Sequence, residues 1–505
     1  MRLTIRRFSN AVTTRRIAEA ARTGHTFPEG KYDFDAWAYN LHWPQKASSL
    51  PLMGKCSVAV EDIKFAFNAW MLLRLCMFYG LPHPSILSRL RHTTPSMDIA
   101  ERGNRLFYMH SHVGTQSLTT GLSANKVKIA LTPSHPKAVS IEHFPWAAVA
   151  QQKPGGVELV LGMENGMSEA VMDQCDHYVY IPQYGSIGSL SMLSALSIAV
   201  HHAHSHLTSP LTSPTSPIVL PSEKVAVGQQ PTTSSYAPPR TRLPHDPKWE
   251  AFSNEEVRVA LTDIRKSYPM KLSVLIRNEI ADRNIGATVR NANVFNCDEV
   301  LLFNRKKFSM RGTVGTHHYT PIKFFDTYDD LLSSGVLDHS EVWLLQSHYP
   351  YLQNFYQPPV QTQWIEGKKG RRPVFDTFIR PHDAGLSWWA ANTDVLHTPH
   401  HPMMAYCSRL LTNNNDTAEV FLDSDDSIVA ALEDARQRGC KGVILACPEE
   451  GTTPHPELAS LASRIAHVVR PSRLSVETQR GLSPALITAS ALERVRALMA
   501  FVAPK

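Results

Sequence analysis

The sequence predicts an α/β protein built from two similar units, and three observations carry that reading. Short apolar runs with little alternation recur along the chain, a Pro/Ser/Thr-rich stretch splits it near the middle, and one segment of each side aligns with the other without a gap. At 505 residues, 43% hydrophobic and 19% charged, the chain exceeds what one ordinary core organises, so two or three domains are expected.

The runs come first. In the first half they are SVAVEDI (57–63), VKIALT (127–132), VELVLG (157–162) and HYVYIP (177–182). In the second they are KLSVLIRN (271–278), EVLLFN (299–304), EVWLLQS (341–347) and GVILAC (442–447). Continuous apolar strands suit a parallel sheet covered by helices on both faces. Between the halves, 205–248 holds three TSP steps and a run of prolines and small polar residues. Such a stretch cannot repay the entropy of ordering, and it is expected to be an extended linker. The repeat is the third observation. SVAVEDIKFAFNAWMLLRLCMFYGL (57–81) aligns with SVLIRNEIADRNIGATVRNANVFNC (273–297), so that a strand leads to Asn68 or Asn284, and six residues later to Arg74 or Arg290.

Charge and cysteine content narrow the class. Lys and Arg total 51 against 45 acids, a mild excess that permits a nucleic-acid partner without demanding one. The cysteines form no CxxC pair, which points to a reducing compartment and away from zinc. No run of about 18 apolar residues exists, so no membrane partner is expected. Residues 1–24 carry Arg2, Arg6, Arg7, Arg15, Arg16 and Arg22 against Glu19 alone, with Ser and Thr interleaved. That is the composition of a mitochondrial presequence and implies the matrix; the other reading is a basic arm that touches RNA directly.

Two segments carry a family resemblance. DRNIGATVRNANVF resembles motif one of the SpoU/TrmH branch of SPOUT RNA methyltransferases, an N-x-G-x-x-x-R turn and helix fed by a strand. VLGMENGMSEAVMDQCDHYVYIPQYGSIGSLSMLSALSIAV (160–200) resembles motifs two and three: a glycine-glutamate loop, an acidic helix, an I-P strand end, a glycine turn and an S-L-N helix start. The resemblance implies two α/β-knot (trefoil-knot) domains, over 50–204 and 249–505, forming an intramolecular pseudo-dimer with an insertion at about 350–435. It implies S-adenosylmethionine as methyl donor and RNA as substrate.

Carried over residue by residue, the resemblance assigns the donor to Leu161, Gly162, Glu164, Gly166, Ile181, Pro182, Gly185, Ser189 and Leu190. It assigns the hydroxyl side to Asn284 and Arg290, with Asn68 and Arg74 as their repeat partners, while Glu164 and Ser189 orient the arginine and loop. Transfer to a 2′-hydroxyl is an in-line displacement on an already activated methyl group, so position and a proton path are what the protein must supply. Glycine admits close backbone approach. A guanidinium, with a pKa above about 12, suits phosphate grip and alkoxide stabilisation better than proton abstraction. The proton acceptor stays open. Taken singly, Ser189 reads as well as a helix N-cap, Glu164 as a turn cap, and either arginine as an exposed helix residue.

The halves depart from the pattern in opposite ways. The first has Trp70 in place of the motif-one glycine, Ser191 in place of the motif-three asparagine, and a GMENG loop one residue short. The second keeps motif one, but GVILACPEEGTTPHPEL and RPSRLSVETQRGLSPALITASALERV lack the G-x-E spacing and the S-L-N sequence. One working site is therefore expected from the 160–200 knot with Asn284 and Arg290, and a dead one from Arg74 with the 440–490 knot.

RNA contacts are expected at Arg305, Lys306, Lys307 and Arg311, clustered around Phe303 and Phe308, and at Lys368, Lys369, Arg371 and Arg372. The histidine runs HHAHSH (201–206) and HTPHHP (397–402) lack convergent Cys or carboxylate spacing, so no metal is expected. The reading is thus a ribose 2′-O-methyltransferase for structured RNA, ribosomal ahead of transfer RNA, with a SpoU-like partner an open option. The alternative is a degenerate methyltransferase serving as an RNA-binding factor in assembly of the mitochondrial ribosome. The Arg-rich leader, abundant histidine and insertion-laden duplicated domain resemble trypanosomatid mitochondrial proteins, which implies pre-ribosomal large-subunit proteins as partners.

Overall fold

A computed structural model describes residues 52, 54–61, 66–82, 84–87, 115–116, 121–133, 135–162, 166–186, 190–208, 249, 251–277, 282–304, 306–347, 363–367, 370–374, 419–448, 456–469 and 481–502. The leader at 1–24 and most of the expected linker lie outside these residues.

The first half contains β1 (Cys56–Glu61), α1 (Ala66–Tyr79), β2 (Ser85–Leu87), β3 (Thr115–Gln116), β4 (Val127–Leu131), β5 (Val139–Ser140), α2 (Trp146–Ala150), β6 (Val157–Leu161), α3 (Glu169–Met172), β7 (His177–Tyr180) and α4 (Met192–Thr208). The second contains α5 (Asn254–Lys266), β8 (Lys271–Arg277), α6 (Asp282–Val294), β9 (Glu299–Phe303), β10 (Ile322–Phe325), α7 (Tyr328–Ser333), β11 (Ser340–Gln346), the hairpin β12 (Gln363–Gly367) and β13 (Gly370–Val374), β14 (Glu419–Phe421), α8 (Asp425–Gln437), β15 (Gly442–Cys447), α9 (Pro456–Ser460), β16 (Arg464–His467) and α10 (Pro484–Met499).

All eight expected strands are present. Strand orders are β3-β2-β1-β6-β4-β7-β5 in one seven-stranded sheet and β10-β9-β8-β15-β11-β16-β14 in the other. Every pairing within these sheets is parallel. Matched strand by strand, the two orders are the same. The aligned segments 57–81 and 273–297 thus occupy equivalent places, each giving a central strand and the helix that follows it.

Two expected boundaries move. Helix α4 continues to Thr208, so 205–208 belong to the folded unit and not to the linker. Strand β14 and helix α8 lie inside the expected 350–435 insertion, yet β14 pairs with β16 and Leu432 and Ala435 of α8 are fully buried. The 419–435 part is therefore integral to the second domain.

The halves meet through helices. Helix α4 packs on α1 within the first half and α6 on α10 within the second, while α4 and α10 pack on each other across the boundary. Apart from half-buried Ala497, α10 is buried from Pro484 to Met499, as befits a helix enclosed on all sides. One apolar cluster runs through both halves, from Leu72 and Leu196 to Leu486 and Leu492. Small residues let the two helices close up: Ser197 Oγ lies 3.1 Å from Leu486 O and 2.9 Å from Ser490 Oγ.

Candidate active site at the boundary of the halves

In a parallel sheet the carboxyl ends of the strands open onto the ligand crevice. Strands β6 and β7 flank β4, and the loops that leave them hold most of the expected donor residues. After β6, Gly162 has Met167 N packed where a side chain would start, and Gly166 takes a left-handed φ of +94°. Glycine is needed here for the loop to close on itself. Glu61, fully buried at the end of β1, accepts a hydrogen bond from Ser168 N at 2.8 Å and so ties this loop to the neighbouring strand. Sequence reasoning passed over Glu61. Its repeat partner Arg277 does the same job with opposite charge, donating to Glu457 Oε2 at 2.8 Å.

After β7, Ile181 is buried and Pro182 half-buried. The loop then runs directly onto α6 of the other half. Tyr184 N donates to Val294 O at 2.7 Å, and Ser186 N and Oγ both approach Asn293 Oδ1, at 3.3 and 3.1 Å. Gly185 is pressed so closely on the Asn293 carbonyl that any Cβ would overlap it. Gly185 was expected to admit a ligand; in the structure its missing side chain admits the partner helix. Trp249, at the start of the second unit, donates Nε1–H to Gly185 O at 3.3 Å.

Helix α6 also carries Asn284, which is buried, and Arg290, which is half-buried. The expected pairing of the first-half loops with the second-half arginine helix is thus a direct contact between those elements. Gly286 of motif one lies against the 3-10 turn Met310–Thr313: a Cβ there would sit 2.7 Å from Gly312 Cα. The motif-one glycine therefore serves the crossing of the turn after β9.

The mirror arrangement is different in character. Arg74 is buried and donates Nε–H to Gly481 O at 2.6 Å, sealing α1 to the turn that begins α10. That turn in turn sits on the end of β11, where Leu482 N donates to Ser347 Oγ at 2.9 Å. Asn68 is half-buried on α1. Arg74 is thus not an exposed helix arginine; it anchors α1 to that turn.

Several expectations need correction or fall elsewhere. Glu164, Ser189, Arg305, Lys368 and Lys369 lie outside the described residues, as does HTPHHP. Arg371 and Arg372 belong to the β13 backbone. The helix cap that Ser189 was weighed for is made by Ser191, whose Oγ accepts from Ser194 N at 3.0 Å. Leu161 is buried and Leu190 half-buried against the core. Lys306, Lys307 and Arg311 are exposed, with Lys306 paired to Asp326 at 2.9 Å. Phe303 and Phe308 are buried, the latter against Phe324, so neither ring is offered to a base. HHAHSH falls on α4: His201 bonds Tyr79 OH and Leu422 O, and His202 meets Glu493 at 3.0 Å. Burial holds both imidazoles well below their usual pKa. Among the described residues no group of three or more His, Cys, Asp or Glu side chains could hold a metal, and no helix is long and apolar enough to cross a membrane.

Comparison with known proteins bears on the first half above all. Residues 55–201 match the model of the SpoU rRNA Methylase family. No curated protein matches the chain. Among solved structures, a probable methyltransferase from Bordetella pertussis Tohama I aligns at 18% identity over 32% of this chain and 99% of its own, with a TM-score of 0.25. A TrmH-family protein from Porphyromonas gingivalis aligns at 15% identity over 45% and 60%, TM-score 0.24. An AdoMet-bound rRNA methyltransferase from Sinorhizobium meliloti aligns at 15% identity over 47% and 59%, TM-score 0.23. The aligned regions of the latter two are less than two thirds of those chains.

Proposed function

We propose that the SpoU-type domain at 55–201 and the second half together transfer a methyl group from S-adenosylmethionine to a ribose 2′-hydroxyl of structured RNA, ribosomal RNA ahead of transfer RNA, at one composite site. The observation that carries this reading is the seating of the Tyr184–Ser186 loop on the helix that bears Asn284 and Arg290. The local residues suit a nucleoside donor: among the described residues Gln183 Oε1, next in sequence to Ile181 and Pro182, is buried without a hydrogen-bond partner, an acceptor of the kind that an exocyclic amine would satisfy.

When bound, the donor would supply an already activated methyl carbon on a cationic sulfur, with a neutral thioether as leaving group. The backbone at 181–186 together with Gly162 and 166–168 would hold it, and Asn284 and Arg290 would orient the ribose and balance charge on its oxygen. The hydroxyl proton would pass to an acceptor or water. The exposed Lys306, Lys307 and Arg311 after β9 would grip RNA phosphates. The matrix of mitochondria is the proposed location, on the composition of residues 1–24.

Calorimetry with S-adenosylmethionine and methyl transfer to ribosomal RNA test the proposal. Donor binding is expected in the low micromolar range or tighter, about −8 kcal/mol. Arg290→Ala is expected to cut methylation by about 100-fold or more, while Arg74→Ala retains activity per folded molecule. The opposite ranking would move the site to the other pair. A second reading, a non-catalytic RNA-binding factor for mitochondrial ribosome assembly, is favoured by Trp70 and Ser191 at motif positions. A wild-type protein that crosslinks to RNA but binds no donor would select it.

A further inference from the structure

We infer that Asn293 is a positioning residue that clamps the first half's Gly185–Ser186 loop in its donor-binding shape, so that the single donor site takes its form from both halves. This rests on the donor reading of the 160–200 segment. Asn293 and Ser186 are both buried. Their contact is two-pronged, with Ser186 N and Ser186 Oγ converging on one oxygen at 3.3 and 3.1 Å. A backbone N–H only donates, so the atom facing it must be the amide oxygen and not the nitrogen. The neighbouring residues reinforce the hold: Tyr184 N reaches Val294 O at 2.7 Å, and Gly185 lies flush on the Asn293 backbone. Three successive loop residues are therefore held by two successive residues at the end of α6. Asn293 stands one helical turn beyond Arg290, which couples the loop's placement to that of the arginine.

The repeat supplies an independent argument. In the gapless alignment that pairs Arg74 with Arg290, position 293 pairs with Met77. A thioether is a weak acceptor and cannot take two strong donors. By residue type, the first-half helix therefore offers no equivalent of the Asn293 amide at this position. Asn293 was not among the residues singled out from sequence, because an asparagine near a helix end reads as a cap.

The test compares Asn293→Ala and Asn293→Asp in the full chain, with S-adenosylmethionine as the calorimetric probe and RNA methylation as the second readout. The alanine variant is expected to weaken donor binding and raise the donor KM by about tenfold, with kcat changed less. The aspartate variant keeps an acceptor oxygen and is expected to recover most of that loss. Hydrogen exchange at the Ser186 amide should quicken in Asn293→Ala and not in Asn293→Asp. Unchanged donor affinity in Asn293→Ala would overturn the inference, as would equal weakening in both variants, which would mean a packing defect. If Asn293→Ala fails to fold, Ser186→Ala reads the same contact, with about threefold weaker donor binding expected and no change counting against the clamp. Failure of the donor reading itself is separate: wild-type protein would show no binding before any variant is made, and the inference would fall with it.

Discussion

Gly286 and Arg74 show how a motif position can answer to packing as much as to chemistry. The turn at 310–313 crosses α6 so closely that a methyl group at 286 would strike backbone at 2.7 Å, and backbone cannot swing aside as a side chain can. Gly286→Ala is expected to lower the melting temperature, because overpacking costs about 1–3 kcal/mol against about 1 kcal/mol gained in helix propensity. A variant at least as stable as wild type would show that the turn moves freely. Arg74 was expected to tolerate replacement. Its buried bond to Gly481 O changes that expectation for folding: Arg74→Ala leaves a carbonyl without its donor, at a cost of about 1–3 kcal/mol. Denaturant unfolding should show the loss, and Arg74→Ala should still methylate once folded. Stability equal to wild type would count against the anchor.

At the scale of elements, the pairing of α4 with α10 buries charge-bearing groups that most helix interfaces exclude. Glu493 of α10 meets His202 of α4, and burial favours the neutral form of each, raising the carboxyl and lowering the imidazole. Glu142 nearby is raised as well, by burial and then by Glu493. The two kinds of group pull stability in opposite directions. A carboxyl whose folded pKa lies above its unfolded value holds its proton in the folded state, so stability falls as pH climbs from about 4.5 toward the folded value. The depressed histidines lose stability in the other direction, as pH drops below about 6.5. Above that point the carboxyls act alone. Wild-type melting temperature is therefore expected to decline between about pH 6.5 and pH 8, and Glu493→Gln, which cannot ionise, should flatten the slope. Parallel slopes in the two proteins would remove Glu493 from the explanation.

The whole molecule is a pair of equivalent sheets joined by a buried helical seam, and the seam explains why the two copies could diverge. The Tyr184–Ser186 loop of the first half reaches across to α6, and Gly481 of the second half receives Arg74 of α1, so on the proposed reading a site would need only one good loop and one good helix. On that reading residues 160–200 would supply the first and α6 the second, while Arg74 and Gly481 hold the opposite corner together. Separating the halves should then abolish donor binding, and mixing the two fragments should restore it if they reassemble. Donor binding by the first half alone would show that the seam is dispensable.

How much was legible beforehand follows from the physics of each element. The eight long strands were readable because both faces are covered, which leaves an uninterrupted apolar run. The short strands at or next to the sheet edges, β2, β3, β5, β10 and β14, were not, since two to four residues carry too little pattern. Nor was β16, whose Arg464 and His467 look like surface residues. Arg464 is buried because Glu341 on β11 and Asp434 on α8 meet its guanidinium, and partners that distant in sequence leave no local trace.

By itself the sequence determined the fold class and the likeness of 57–81 to 273–297, because periodicity and motif spacing are local properties. Only the tertiary structure decided which glycines face a helix, which arginine is sealed and that Asn293 closes on Ser186. Those outcomes depend on where two surfaces of distant segments touch, and contact across 107 residues is set by packing of the whole rather than by any neighbouring sequence.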